Sequence, residues 1–339
     1  MFADGLSYPE LIPTANVSAD HSSTDWIHRL PAVAAADTRD AQTMSHRQRH
    51  WIWPVGAALL FSGSYVAGRI TTAELMPLTA ALLRYVAGFA FLAALAAWPR
   101  RRAGGLSAGD HGMLLLAGLA GVSLYQFLFF AALRYTAVVH TAIINALSPI
   151  VTAILAAVCI RERLAARQYA GVAIAVAGVL LLLSRGDPAR LQAQPPNRGD
   201  LFMLLAVVAW AAYALLVRRL SARLDGWTIT FASTGYGLLF LALAAIAADD
   251  VAGQVLALSP AGWAAILYLG IGTSALGYLL YNRAISLTGP TRTAGVVYSL
   301  VPVGVAALAW IWFSEPVTGI MAGSTILILA GLYLQQARR

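Results

Sequence analysis

The chain has 339 residues, of which 59% are hydrophobic and only 11% charged, and its mean hydropathy is +0.71. Soluble domains carry about 25% charged residues, so a soluble globular fold is excluded and a polytopic membrane protein is expected. The net charge of +8 comes from arginine, with no lysine present, and it sits in short joints between apolar runs, where it sets membrane orientation and is not a nucleic-acid footprint.

Residues 1–50 are polar, broken by Pro and Asp, and lack periodicity, which predicts a disordered N-terminal extension. They hold no apolar core followed by a cleavage site, so they do not read as a signal peptide. Met44 opens the basic lead MSHRQRHWIW and is expected as the natural start. Ten apolar segments follow, at 51–69, 75–98, 111–133, 138–160, 166–184, 200–217, 227–248, 260–282, 291–313 and 317–336. Each can cross a core roughly 30 Å thick, and each must be helical because lipid offers no partner to an unpaired backbone group. With both termini on one side, that side gathers fifteen arginines, including Arg100–Arg102 and Arg218–Arg219, against five on the other. Both termini are therefore expected in the cytoplasm, in the bacterial inner membrane. The single Cys159 can form no intrachain disulfide and is expected to be a buried, inert thiol.

The chain repeats itself. Pro149 and Glu162 are 13 apart, as are Pro302 and Glu315, and the copies are offset by 153. At that offset Ala153 falls on Ala306, Gly178 on Gly331 and Leu181 on Leu334. Compositional bias would match scattered Ala and Leu but would not keep Pro, Glu and Gly in register. Duplicated membrane units mark secondary transporters. Five segments per copy is an odd number, so the second copy enters the membrane inverted. The expected fold is all-α, with ten transmembrane helices in two inverted five-helix repeats, 51–184 and 200–336, joined by a Pro- and Arg-rich linker at 185–199.

The doubled Ala-Leu-x-x-Thr…Pro…Glu stretch, Gly199-Asp-Leu…Ala-Trp210-Ala-Ala-Tyr213 and Gly277-Tyr-x-x-Tyr-Asn-Arg-Ala284 resemble the drug/metabolite transporter superfamily, in its EamA-like branch. The resemblance spans roughly 51–336. It implies ten helices, export of small metabolites or drugs, and a central cavity lined mainly by helices 1, 3, 4, 6, 8 and 9. Phe61-Ser-Gly-Ser64 departs from it, standing where the family often has Trp-Gly.

Arg84 lies near the midplane of the second segment, where an arginine costs roughly 3 kcal/mol on insertion scales. It reads either as a cation for a substrate carboxylate or as a structural donor to carbonyls of a bent neighbouring helix, the second reading weighing more. Ser64, Tyr125, Gln126, Asn145, Trp210, Tyr213, Tyr278 and Tyr298 sit at matching depths and complete the expected substrate cavity, whose aromatics and uncharged donors suit an amphipathic solute. Tyr281 and Asn282 read as membrane-interface residues. Pro149 and Pro302 each interrupt a helix and are expected hinges. Glu162 and Glu315 each precede a new segment, where a carboxylate complements the positive helix start. His140 reads as a wetted residue at a helix end. Gly171…Gly178 and Ser324…Gly331 fit a close seam, within one chain or between two. Gly270-Ile-Gly272 imitates a dinucleotide loop but reads as packing glycine inside a span.

No P-loop, hydrolase elbow or metal-ligand spacing appears, so neither a cofactor nor an enzymatic activity is expected. The expected function is a secondary transporter exporting small amphipathic metabolites, such as amino acids, by alternating access. Multidrug efflux is the alternative; a scaffold or an intramembrane enzyme ranks lower. The expected partners are a small-molecule substrate and the lipid bilayer, with no nucleic acid, and the protein is a monomer or homodimer. No acid is seen at membrane depth, which argues against a carboxylate proton relay.

Overall fold

A computed structural model describes residues 51–96, 106–159, 165–187, 189, 197–288 and 290–336. The readings of residues 1–50 and Met44, Arg100–Arg102, Glu162 and most of the 185–199 linker lie outside the described residues, as does that of the Asn282 side chain.

Among the described residues there is no strand. The helices are α1 Ile52–Glu74, α2 Pro77–Ala96, α3 Ala108–Ala117, α4 Tyr125–Tyr135, α5 Val138–Asn145, α6 Ser148–Cys159 and α7 Ala166–Leu183 in the first half. The second half holds α8 Arg198–Leu220, α9 Gly226–Ala248, α10 Val251–Ala257, α11 Pro260–Leu267, α12 Tyr278–Thr288, α13 Pro290–Phe313 and α14 Gly319–Gln336. A π-helical stretch, Gly118–Leu124, joins α3 to α4, and another, Tyr268–Gly277, joins α11 to α12.

Eight helical segments among the described residues are long and apolar enough to cross a membrane. Of the ten expected crossings, the first and last differ. In α1, Ser62, Ser64, Arg69, Thr71 and Thr72 dilute the apolar run, and α14 offers a shorter apolar stretch, Gly319–Gln335. Polar caps mark several helix starts. Ser107 and Asp110 form a reciprocal capping box on α3. Asp225 caps α9, and the Thr228 hydroxyl, then its N–H, hold this carboxyl below the usual range.

The halves interleave. α1 packs on α13 while its counterpart α8 packs on α5 and α6; α4 packs on α8 while its counterpart α12 packs on α1. Each contact recurs with the halves exchanged, the signature of an internal twofold. α7 and α14, the last helices of the two copies, share the most extensive interface. A methyl at Gly171 would lie 2.6 Å from the Gly331 carbonyl, and one at Gly178 would lie 3.0 Å from the Ser324 carbonyl. The two chains therefore pass in opposite directions at backbone contact. Equivalent helices running antiparallel means that the repeats are inverted. The Gly/Ser seam is filled within the chain. Cys159, expected buried, is exposed, because the α6 face that carries it turns away from the helices it packs on.

Candidate functional site

One cavity lies where the repeats meet, with about 730 Å³ of space counted out through its mouth into open solvent. α1 supplies Phe61, Ser64 and Tyr65, and α4 supplies Tyr125, Gln126 and Phe129, each set at helical spacing on one face. α5 adds Asn145, α8 Trp210, α12 Tyr278 and Tyr281, and α13 Val297, Tyr298, Val301 and Pro302. Arg84 enters from α2 and Thr273 from the second π-helical stretch.

The two π-helical stretches aim these residues. A π-helix winds wider than an α-helix and re-directs the turn that follows. One stretch ends directly before Tyr125 and the other directly before Tyr278, and these tyrosines are related by the 153-residue repeat. Gly270, read from the sequence as packing glycine, lies in this wider winding, where a methyl would be 2.8 Å from the Arg84 carbonyl.

Arg84 is only 4% exposed. Its Nε donates to Ser274 Oγ at 3.0 Å, and Ser274 donates at 3.0 Å to the Leu269 carbonyl within the π-helical stretch. Its Cζ lies 6.0 Å from the Phe129 ring centroid. The arginine thus supports a distorted neighbouring helix, as its structural reading required, but through a serine hydroxyl and with one nitrogen. No hydrogen bond from the described residues reaches its two terminal nitrogens, and no carboxylate shares the cavity wall.

Opposite, Asn145 Nδ2 donates to Tyr65 Oη at 2.7 Å, and Ser148 Oγ donates to Asn145 Oδ1 at 3.1 Å. Gln126 Nε2 donates to Tyr85 Oη at 3.2 Å, while its buried Oε1 has no partner among the described residues. Tyr125 packs on Trp210 with centroids 5.0 Å apart, and Trp210 on Tyr213 at 5.1 Å.

Of the nine expected cavity residues, Ser64, Arg84, Tyr125, Gln126, Asn145, Trp210, Tyr278 and Tyr298 share this wall. Tyr213 does not. It lines a smaller adjoining cavity with Tyr85, Thr230 and Thr234, on the far side of Trp210. Tyr281, read as interfacial, is on the wall and packs on Phe61 at 6.0 Å. Phe61 and Phe129 were missed; both were signalled by i+4 spacing, from Tyr65 and Tyr125 respectively.

The two prolines differ in setting. Pro302 lies inside the continuous α13 and lines the cavity. Pro149 is the second residue of α6, after a break at Ala146–Leu147, so it starts a helix and interrupts none. The Asn145 carbonyl, which a non-proline residue 149 would have bonded, accepts from Ser148 Oγ at 2.7 Å instead.

Glu315 caps a helix, but not its own successor. Its carboxylate accepts from Val138 N at 3.3 Å and Val139 N at 3.4 Å, at the start of α5 in the other repeat. Pro316, Val317 and Thr318 intervene before α14 begins, which leaves the acid free to turn across the interface. His140 is also not a wetted end residue. Its side chain is 13% exposed, and Nδ1 lies 3.4 Å from Asp200 Oδ1.

The sequence pattern of the EamA-like transporter family matches residues 50–184 and, a second time, 197–335. The chain belongs to the EamA-like transporter family. It is accordingly a multi-pass membrane protein of two-repeat, all-helical fold. An uncharacterized transporter of Bacillus subtilis is 32% identical over 181 residues, 52% of this chain and 58% of that protein. An uncharacterized transporter of Archaeoglobus fulgidus is 28% identical over 83% of this chain and 95% of its own length. A probable terminal-alkyne amino-acid exporter of Streptantibioticus cattleyicolor is 28% identical over 53% of this chain and 58% of its own length. The chain thus aligns with little more than half of the Bacillus and Streptantibioticus proteins. One solved crystal structure shares the fold, with a TM-score of 0.56 at 20% identity, covering 85% of this EamA-like chain and 96% of that one.

Proposed function

We propose that this EamA-like protein exports small amphipathic metabolites bearing a carboxylate, amino acids foremost, across the bacterial inner membrane. The observation that carries this reading is Arg84: among the described residues it is the single charged side chain on the cavity wall, and neither terminal nitrogen has an acceptor among them. A guanidinium fork pairs with a carboxylate through two parallel hydrogen bonds. Gln126 Oε1, without a partner among the described residues, offers an acceptor to an ammonium or hydroxyl group. The rings of Tyr65, Tyr125, Phe129, Trp210, Tyr278 and Tyr298 give an apolar side chain flat surfaces. The amino-acid exporter among the relatives agrees with this class.

Transport proceeds by alternating access, with the inverted repeats exchanging conformations around the cavity. Both termini face the cytoplasm. The α5–α6 break and Pro302 in α13 are the positions where the cavity walls bend. Multidrug efflux is the second reading, favoured by the number of rings on the wall.

The test is a toxicity screen with amino-acid analogues and cationic drugs, in cells producing the protein or its Trp210→Asp variant, which sets a charge among the rings. Resistance to amino-acid analogues, absent with Trp210→Asp, is expected. Resistance confined to cationic drugs would overturn the carboxylate assignment in favour of drug efflux.

A further inference from the structure

We propose that the smaller cavity beyond Trp210 is a second compartment of the substrate site, which takes the end of an amino-acid side chain carrying a neutral hydrogen-bond donor, an amide or a hydroxyl. Its part in selection rests on the carboxylate reading above.

The two cavities share a wall. Trp210 and Tyr278 line both. Trp210 stands between a ring of each, with Tyr125 of the main cavity 5.0 Å away and Tyr213 of the smaller one 5.1 Å away. Two hydrogen bonds cross the same wall. Arg84, on the main side, donates through Nε to Ser274 of the smaller cavity at 3.0 Å, and Gln126 donates to Tyr85 at 3.2 Å. The guanidinium is thus anchored at the partition. A carboxylate on its free edge lies one guanidinium's width from the second compartment, and a side chain long enough to pass Trp210 enters it.

The wall of that compartment suits a neutral polar group. Gly88 of α2 and Gly121 of the first π-helical stretch face it and add no side chain. A methyl at Gly121 would run into the Tyr213 ring. Hydroxyls of Thr230, Thr234 and Ser274 surround the space, and Thr234 and Ser274 are buried. Thr230 donates to the Gly226 carbonyl at 2.8 Å and Ser274 to the Leu269 carbonyl at 3.0 Å, so both protons are spent while the oxygens keep lone pairs. The compartment therefore offers acceptors, which an amide or hydroxyl proton can meet. Among the described residues no charged side chain lines it. An ammonium or carboxylate at the end of a side chain would lose its water there without a counter-charge. A void edged with hydroxyls between membrane-spanning helices also costs free energy unless water or a polar group fills it. A short side chain, such as that of alanine, stays on the main side of Trp210.

The test uses the full chain in lipid nanodiscs in a Cys159→Ser background, with one cysteine at a time. Ser64→Cys reports the main wall and Thr234→Cys the second compartment. Mass spectrometry follows their modification by methyl methanethiosulfonate, a small neutral reagent, and the probes are L-glutamine, L-alanine and L-lysine. We expect glutamine to slow modification at both positions at least about fivefold at a few times its Kd. Alanine should slow it at Ser64→Cys alone, and lysine should not protect Thr234→Cys. In a second measurement Thr234→Leu fills the compartment while Ser64→Cys reports. The glutamine concentration for half protection should rise at least about tenfold, and that for alanine should stay within about twofold. The cysteine substitutions change little volume, so the first arm stands even if Thr234→Leu fails to fold. A Thr234→Cys thiol that the reagent never reaches, that glutamine leaves unprotected, or that alanine or lysine shields as well as glutamine would overturn the compartment. So would a half-protection point indifferent to Thr234→Leu. Protection at Ser64→Cys alone would leave the carboxylate reading standing, whereas protection at neither position would sink both.

Discussion

Arg84 has two tasks that can be separated by substitution. Its Nε supports the Tyr268–Gly277 winding through Ser274, and its terminal nitrogens face the cavity. Arg84→Gln keeps an amide donor of similar reach and removes the charge. Losing one charge-assisted contact of roughly 1.5–3 kcal/mol should weaken binding of a carboxylate substrate about ten- to hundredfold, with the fold retained. Competition for transport in proteoliposomes, beside a folding check by gel filtration, measures both. Ser274→Ala should do the reverse: it leaves the charge in place, loosens the π-helical stretch, and costs stability more than affinity.

At the level of single helices, the repeat is closer in sequence than in conformation. Pro149 and Pro302 occupy equivalent positions, and so do Asn145 and Tyr298, whose carbonyls stand four residues before each proline. In the first copy a serine at 148 supplies a hydroxyl to the freed carbonyl, and the helix breaks there. In the second copy the equivalent residue is Val301, which has no donor, and α13 runs on. This difference was legible in the residues, since Ser against Val at that position decides whether a local acceptor is satisfied. Ser148→Ala should therefore leave a buried carbonyl without its donor and destabilise the protein by about 1–3 kcal/mol, read by thermal unfolding in detergent. Pro302→Ala should lengthen the uninterrupted α13 ladder, keep or raise stability, and slow transport if the bend is used in the cycle. The α7–α14 seam gives a third check. A valine at Gly171 meets the Gly331 backbone, which cannot move aside as a side chain can, so Gly171→Val should cost about 1–3 kcal/mol or more. Gly112→Ala, with open space around it, should be neutral or slightly stabilising.

Across the whole molecule, the inverted architecture was readable before any coordinates, because a 153-residue offset, an odd number of segments and a lopsided arginine distribution are all properties of the chain itself. The eight cavity residues were found for a related reason: polar groups at membrane depth have few places to go. What sequence could not reveal depends on neighbours distant in the chain. The π-helical turns exist against facing helices, and Glu315 and Asp200 reach across the interface to α5. Glu315 therefore read as complementing the start of the segment that follows it. The cavity wall, as described, carries no carboxylate to take up a proton in exchange for substrate. Downhill transport in proteoliposomes should therefore persist when the proton gradient is collapsed. Transport that stops when the gradient is removed at constant pH would instead require a proton path through the cavity itself.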